Sequence, residues 1–306
     1  MAGLRLSESS VQRISESVGA DIGERLARGE TFGESNPWNW HKDANGKTCA
    51  YVSIDATSTP QQGSGARKAE GRMCTMAMVY NPIPEDRDRW ARPSASRRPP
   101  WQARYVASLE DQASLGEPLR RQAAQVGMDR AEWWIALSDG GAGLEDWLRV
   151  NFGRVEAVIL DFYHVGESLA ELAKVWYGAE TEAAKTHYKH WAHRLKHEGG
   201  EAVLKELREL KLPNRRALCE CHRTTLVYFE NQVHRMDYPR YVACGWQIGS
   251  GPIEAACKSV IGRRLKGTGM RWGVDGADGM SHLRALLVSE PDQWDDYWAS
   301  RAPAAA

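Results

Sequence analysis

The sequence predicts an α/β protein in which a mixed sheet is flanked by helices, and three observations carry that prediction. The first is the stretch 132–168, EWWIALSDGGAGLEDWLRVNFGRVEAVILDFYHVGES. Trp133 to Leu137 is an apolar run stopped by Ser138-Asp139-Gly140-Gly141. Gly143 to Phe152 has helical spacing, with Leu144, Trp147, Leu148 and Phe152 on one side. Val155 to Leu160 is a second apolar run, ended by Asp161-Phe162-Tyr163-His164. Short apolar runs bounded by glycine favour buried strands, and a helix between two of them makes a βαβ unit with parallel strands. The second observation is the pair Thr48–Asp55 and Arg72–Tyr80, which reads as a hairpin, with Arg104–Leu109 as a short third strand. The third is the segment from His164 to about residue 245, whose spacing is helical throughout.

Composition narrows the classes. The 306 residues suffice for a sizeable core. Forty Lys and Arg balance forty Asp and Glu, so nucleic-acid binding has to rest on local patches. The six cysteines form no CxxC pair, a usage typical of reduced, intracellular proteins. Cys219-Glu220-Cys221-His222 is the one dense thiol cluster, and its spacing does not suit a zinc knuckle. No stretch is long and apolar enough to span a membrane, and the N-terminus lacks a signal-peptide core. The 13 tryptophans are read chiefly as core and helix-packing residues, with base stacking as the other use.

At the N-terminal end, residues 5–28 read as a helix capped by Ser7 or Ser9, with Val11, Ile14, Val18 and Ile22 as its apolar face. LSESSVQRISE also looks like the second helix of a helix-turn-helix, whose first helix would need residues before Met1; an ordinary packing helix is the plainer reading. Residues 29–48 are loop-like. The strand 48–55 ends in Asp55, and Gly63–Glu70 is a turn. Residues 81–102 form a Pro- and Arg-rich loop that includes Arg97-Arg98-Pro99-Pro100-Trp101; loops this long are commonly functional. Leu115–Val126 is a helix. In the helical block, Leu169, Leu172, Ala173 and Trp176 share a face, as do Tyr188, Trp191, Ala192 and Leu195, then Val203, Leu204, Leu207 and Leu210. His190, His193 and His197 line one face of it, read as solvated and basic rather than metal-binding.

Asp237-Tyr238-Pro239 is expected to break the helices. Gly249 and Gly251 bracket Ser250, which can cap a helix with Pro252 in its first turn. That helix carries Glu254, Cys257, Lys258, Ile261 and Leu265. Lys258, Arg263, Arg264, Lys266 and Arg271 come after Glu254 with no acidic residue among them. The C-terminal helix uses Leu283, Leu286 and Leu287. Trp294 and Trp298 are expected to pack back on the body, and the Ala-rich end to fray. The divisions are thus 1–47, an N-terminal helical segment; 48–164, the first part of the core; 165–245, a helical insertion; and 246–306, the last part of the core.

Three antiparallel strands and then alternating helix and strand is the order of the ribonuclease H-like fold. In that order the first and fourth strands are neighbours, so Asp55 and Asp139 would sit side by side, where α/β sheets tend to place their chemistry. Glu254, in the first turn of a capped helix, is placed to supply a third carboxylate. Three clustered carboxylates repel one another unless a cation neutralises them. Two Mg²⁺ or Mn²⁺ ions about 3.5–4 Å apart meet that demand and would activate an attacking water or 3′-hydroxyl and stabilise the leaving oxygen of a phosphodiester. The cations after Glu254 would hold phosphates. Each residue also has a plainer use: aspartates at strand ends serve as caps and turn residues, and a glutamate in a first turn answers the helix dipole.

YVSIDAT at 51–57, SDGGAGLEDWL at 138–148, ILDFYHVGESL at 159–169 and GWQIGSGPIEAACKSVIGRRLKGTGMRW at 245–272 resemble the DDE transposases of bacterial insertion sequences. The likeness is greatest to the ISKra4 family, and more broadly to the Mutator-like group, and runs from about residue 48 to 298. It implies Asp55, Asp139 and Glu254 as a catalytic, metal-binding triad, and Asp161 with His164 as a separate D-x-x-H motif near the site. It also implies 165–245 as an insertion domain, DNA as the partner through element ends and target, action as a homo-oligomer, and a bacterial cytoplasmic, nucleoid-associated location. Asp161 as the second acid is the rival assignment. Members usually carry a further N-terminal region that recognises element ends, and here only the half motif at 5–28 corresponds to it. The alternative function is therefore a truncated, inactive remnant that binds DNA or an intact transposase. A metal-independent hydrolase with paired carboxylates is a third reading, disfavoured by the basic run.

Overall fold

A computed structural model describes residues 6–63, 70–82, 101–290 and 293–301. The turn after Gly63, most of the Pro- and Arg-rich loop with Arg97 to Pro100, and the Ala-rich end lie outside the described residues. The chain is mixed α/β: a six-stranded mixed sheet flanked by helices.

The chain opens with α1 (Glu8–Ala27) and a two-residue strand, β1 (His41–Lys42). β2 (Thr48–Pro60), β3 (Gly71–Pro82) and β4 (Trp101–Ser108) form an antiparallel meander. Next come α2 (Gly116–Gln125), β5 (Trp133–Ser138), α3 (Leu144–Asn151) and β6 (Val155–Leu160). The spatial order is β4-β3-β2-β5-β6, with β1 on β2. The parallel pair expected from the βαβ reading is present as β5 and β6, and β5 also lies parallel beside β2.

The first strand differs from expectation. It does not stop at Asp55: Ala56 to Pro60 continue it, paired with β3 out to Gly71. What stops near Asp55 is the pairing with β5, whose last register partners are Ser53 and Leu137. The run Ala56-Thr57-Ser58-Thr59 is polar, but its β-branched threonines suit a strand as well as a loop.

Alternate residues of each strand enter opposite faces, and both faces are covered, so the central strands are mostly apolar where they pair on both sides. Tyr51, Met78, Tyr80, Ile135, Leu137 and Ile159 point into one core. Val52, Ile54, Val79, Ala136 and Val158 point into the other, against Leu119, Val126, Trp147, Leu148 and Phe152.

The helical block covers the first of these faces. It comprises α4 (Phe162–Tyr177), α5 (Glu182–Glu198), α6 (Gly200–Glu209), α7 (Arg216–Gln232) and α8 (Tyr238–Ala243). Its expected faces are the buried ones: Leu169, Leu172, Trp191, Leu195, Val203, Leu204 and Leu207 are all 2% exposed or less. His190, His193 and His197 are exposed, with His190 3.2 Å from Glu206. Asp237-Tyr238-Pro239 starts a helix rather than breaking one. Asp237 caps α8 and Pro239 sits in its first turn, where a missing N–H costs nothing.

After the block come α9 (Gly251–Ala256), a π-helical turn over Cys257–Gly262, and α10 (Arg263–Leu265), a continuous helical run. Then come α11 (Val274–Val288) and α12 (Gln293–Ala299). α1 packs on α11 through small residues. A Cβ on Gly19 would stand 2.0 Å from the Gly279 carbonyl oxygen, so the backbones touch. Ser7 caps α1, accepting from the Ser10 N–H, and Ile22 is buried. Val11 and Ile14, expected on the apolar face, are instead 49% and 53% exposed. Leu286 is buried as expected, but Leu287 and Trp298 are open at 39% and 42%, and Tyr297 rather than Trp298 is buried.

Candidate active site

The register of the parallel strands assembles the site. Two residues beyond the Ser53–Leu137 pair lie Asp55 and Asp139. One residue beyond the Ser138–Leu160 pair lie Asp139 and Asp161. Three aspartates thus stand side by side across β2, β5 and β6. Glu254 comes to them from α9. A cavity of about 210 Å³ is lined by Asp55, Asp139, Asp161, His164, Ser250 and Glu254, with Ile54 and Ile253 as its apolar floor.

The four carboxylates are held differently. Asp55 Oδ1 accepts its neighbour's Ala56 N–H at 2.7 Å. Burial pushes its carboxyl above the ordinary aspartate value, and the negative charges of Asp139 and Glu254 add to the push. The Ala56 N–H and the Cys257 thiol offset part of it. Asp139 Oδ1 accepts the Gly141 N–H at 2.9 Å, an Asx turn that folds the loop after β5. Glu254 Oε1 lies 3.0 Å from Ser250 Oγ, and its Oε2 lies 3.7 Å from Lys258 Nζ.

Asp161 is the exception. It is 2% exposed. Oδ1 accepts the N–H groups of Tyr163 at 2.7 Å and His164 at 3.3 Å, capping α4. Oδ2 accepts the Ser250 N–H at 3.0 Å and the Ser250 hydroxyl. Both oxygens are therefore committed, which is what a buried carboxylate requires. His164 extends to the cavity wall, with Nδ1 3.5 Å from Glu167.

Ser250 sits at the start of α9, as expected, but its side chain makes no helix cap. Its hydroxyl, with one proton to give, donates to Asp161 and lies within hydrogen-bond distance of Glu254, bringing the end of β6 and the glutamate together. The π-turn after α9 is a form often found at functional sites. Sequence spacing points to Ser250 as a cap and misses this link, because Ser250 and Asp161 are far apart in the chain. The approach of the buried Cys257 to Asp55, and Arg235 altogether, are missed for the same reason. The basic residues lie on or just past this helix. Lys258, Arg263, Arg264, Lys266 and Arg271 are all exposed or half-exposed. Lys266 donates to Thr57 Oγ1, two residues past Asp55.

Among the described residues, no group of three or more His, Cys, Asp or Glu side chains is set to hold a metal ion. The donor chemistry nevertheless fits a hard cation. Asp55, Asp139 and Glu254 offer oxygen ligands, which suit Mg²⁺ or Mn²⁺. Burial first, and then the charges of Asp139 and Glu254, raise the Asp55 carboxyl, and a bound cation would favour its ionised form. Asp161, with both oxygens committed, is the least available of the four.

No protein-family profile and no curated protein matches the chain. Among solved structures it is similar to a "Drosophila P element transposase strand transfer complex", at 10% identity, covering 97% of this chain and 81% of that one, with a TM-score of 0.25. A likeness that slight carries no argument about function.

Proposed function

We propose that the chain is a DDE transposase with a ribonuclease H-like core, of the ISKra4 family within the Mutator-like group, which cleaves DNA at element ends and transfers the freed strand. The observation that carries this reading is the meeting of Asp55, Asp139 and Glu254, from three separate elements, around one cavity where burial and then the charges of the other two raise the cost of ionising Asp55. A structural cluster would pair such carboxylates with arginines or lysines; among the described residues Lys258 lies 3.7 Å from Glu254, and Arg235 meets Asp139 through its carbonyl rather than its carboxylate.

In this reading Asp55, Asp139 and Glu254 hold one or two Mg²⁺ or Mn²⁺ ions. The ions supply charge neutralisation and lower the pKa of the attacking hydroxyl. The protein's own work is positioning. Ala56 N–H holds Oδ1 of Asp55, and Gly141 N–H holds Oδ1 of Asp139. Ser250 Oγ stands 3.0 Å from Glu254 Oε1. Ile54 and Ile253 keep one wall dry, which strengthens every charge interaction inside. Lys258, Arg263, Arg264, Lys266 and Arg271 follow Glu254 in the chain and are exposed, available to hold phosphates. Asp161 and His164 frame the site: Asp161 ties two helix starts together, and His164 stands at the mouth.

The test is cleavage and joining of labelled DNA carrying the ends of the element around this gene, with Mg²⁺, with Mn²⁺ and with EDTA. Nicking that requires metal, and then joining of the 3′ end to target, is the expected result. DNA binding without nicking in either metal would overturn the catalytic reading in favour of an inactive remnant.

A further inference from the structure

Arg235 is a buried cation that the proposed chemistry does not use. It closes the short turn Val233–Arg235 at the end of α7 and is 1% exposed. Its guanidinium reaches across to the carboxyl ends of β5 and β6. Nε donates to the Val158 carbonyl at 3.2 Å. Nη2 donates to Ser138 Oγ at 2.7 Å and to the Ser138 carbonyl at 3.3 Å. Nη1 donates to the Asp139 carbonyl at 3.4 Å and to Gln232 Oε1 at 2.9 Å. The nearest carboxylate is Glu145, at 3.8 Å.

A side chain that only filled space here would be apolar, since burying a charge is costly unless its hydrogen bonds are met. The planar fork of arginine meets them with carbonyls of the two residues that carry and precede the proposed second acid. α7 grips the same loop a second time. A Cβ on Gly140 would stand 2.7 Å from the Tyr228 ring, so the loop after Asp139 lies flat against the helix. Glu145, on α3 just beyond that loop, also accepts from His234 at 2.9 Å. Adjacent residues of one turn therefore hold both ends of the segment 138–145.

We propose that Arg235 is a positioning residue through which the helical block sets the backbone of Asp139, and hence the geometry and charge of the acid cavity. The proposal rests on the reading of Asp139 as a metal-binding acid. It gives the insertion a role in the site itself: among the described residues, none between Tyr188 and Ala243 lines the cavity wall, yet the block holds one of the acids from behind.

The experiment compares wild type with Arg235→Met, Arg235→Lys and Ser138→Ala by amide hydrogen exchange of the full chain and by Mn²⁺ titration read by electron paramagnetic resonance. Arg235→Met should speed exchange over 138–143 about tenfold while the β2 segment 49–54 stays protected, and weaken Mn²⁺ binding about tenfold. Arg235→Lys should restore part of the Mn²⁺ affinity but not the exchange protection, because an ammonium cannot span the same carbonyls. Ser138→Ala, which deletes one acceptor, should loosen 138–143 to a smaller degree, and it carries the exchange test if Arg235→Met does not fold. Faster exchange spread equally over β2, β5 and β6 would make Arg235 a packing residue and overturn the proposal, as would unchanged exchange at 138–143. Absence of Mn²⁺ binding by wild type would sink the metal reading of the site, and the exchange pattern would still decide whether Arg235 sets the loop.

Discussion

Asp139 stands just past β5 and Asp161 just past β6, neighbours in the register of one parallel pair, yet their surroundings diverge. Asp161 is sealed from solvent, and each of its oxygens accepts two hydrogen bonds. Asp139 spends Oδ1 on the Gly141 N–H of its own loop and stands partly open to the cavity. The difference comes from the residues after each strand. After β6 a helix begins at once, and its free N–H groups need a cap. After β5 a glycine pair intervenes before α3, so no helix start claims the carboxylate. The same residue at the same strand position is thus a structural cap in one case and a free acid in the other, decided by the loop that comes next.

The largest effect should separate the free acids from the cap. Asp55→Asn, Asp139→Asn and Glu254→Gln are each expected to lower DNA cleavage on the order of a thousandfold or more, because acids that act as a unit fail together. None should lower the melting temperature. Equal losses of fold and activity in Asp139→Asn would place it with Asp161 and break the comparison.

Asp161→Asn should do the reverse. Asparagine has one acceptor oxygen, so either the α4 N–H groups or Ser250 must lose their partner in a buried setting. That costs about 1–3 kcal/mol of stability. Cleavage should survive within about a hundredfold of wild type, the range for residues that orient a site without touching the reacting atoms. Thermal melts beside rate measurements at saturating metal would check both.

A third expectation concerns pH. Asp55 has a raised carboxyl pKa in the fold. Between the unfolded aspartate value of about 4 and that raised value, the folded chain holds a proton that the unfolded chain has released. Stability should therefore fall as pH rises through this window and be highest below it. Asp55→Asn should melt higher than wild type at neutral pH and match it at acid pH, and millimolar Mg²⁺ should flatten the wild-type slope. A wild-type stability that rises with pH over that window, undiminished in Asp55→Asn, would contradict the charge crowding. The smallest effect belongs to the exposed cations: replacing Arg271 or Arg263 by Gln should reduce the salt slope of DNA binding by about one each and leave the melt unchanged.

Most of the sheet is legible in the sequence because its strands are short apolar runs with distinct stops, and the order of those runs makes β2 and β5 neighbours. The end of β2 is not, because pairing with β5 and pairing with β3 stop at different residues, and only the first coincides with Asp55. The α1–α11 contact is invisible to hydrophobic periodicity, since glycines carry its closest approach and Val11 and Ile14 stay about half-exposed. At the site, the acids are legible from their places after apolar runs and in a first helical turn. Their division of labour is not, because it rests on Ser250 meeting Asp161 across the whole helical block, and on Arg235 reaching back to β5.

The most direct measurement is metal-dependent nicking of element-end DNA by Asp139→Asn and Asp161→Asn proteins side by side, each with its melting curve. The account predicts a folded, inactive Asp139→Asn and a destabilised but active Asp161→Asn. An active Asp139→Asn beside a folded, inactive Asp161→Asn would move the second acid to the end of β6 and contradict it.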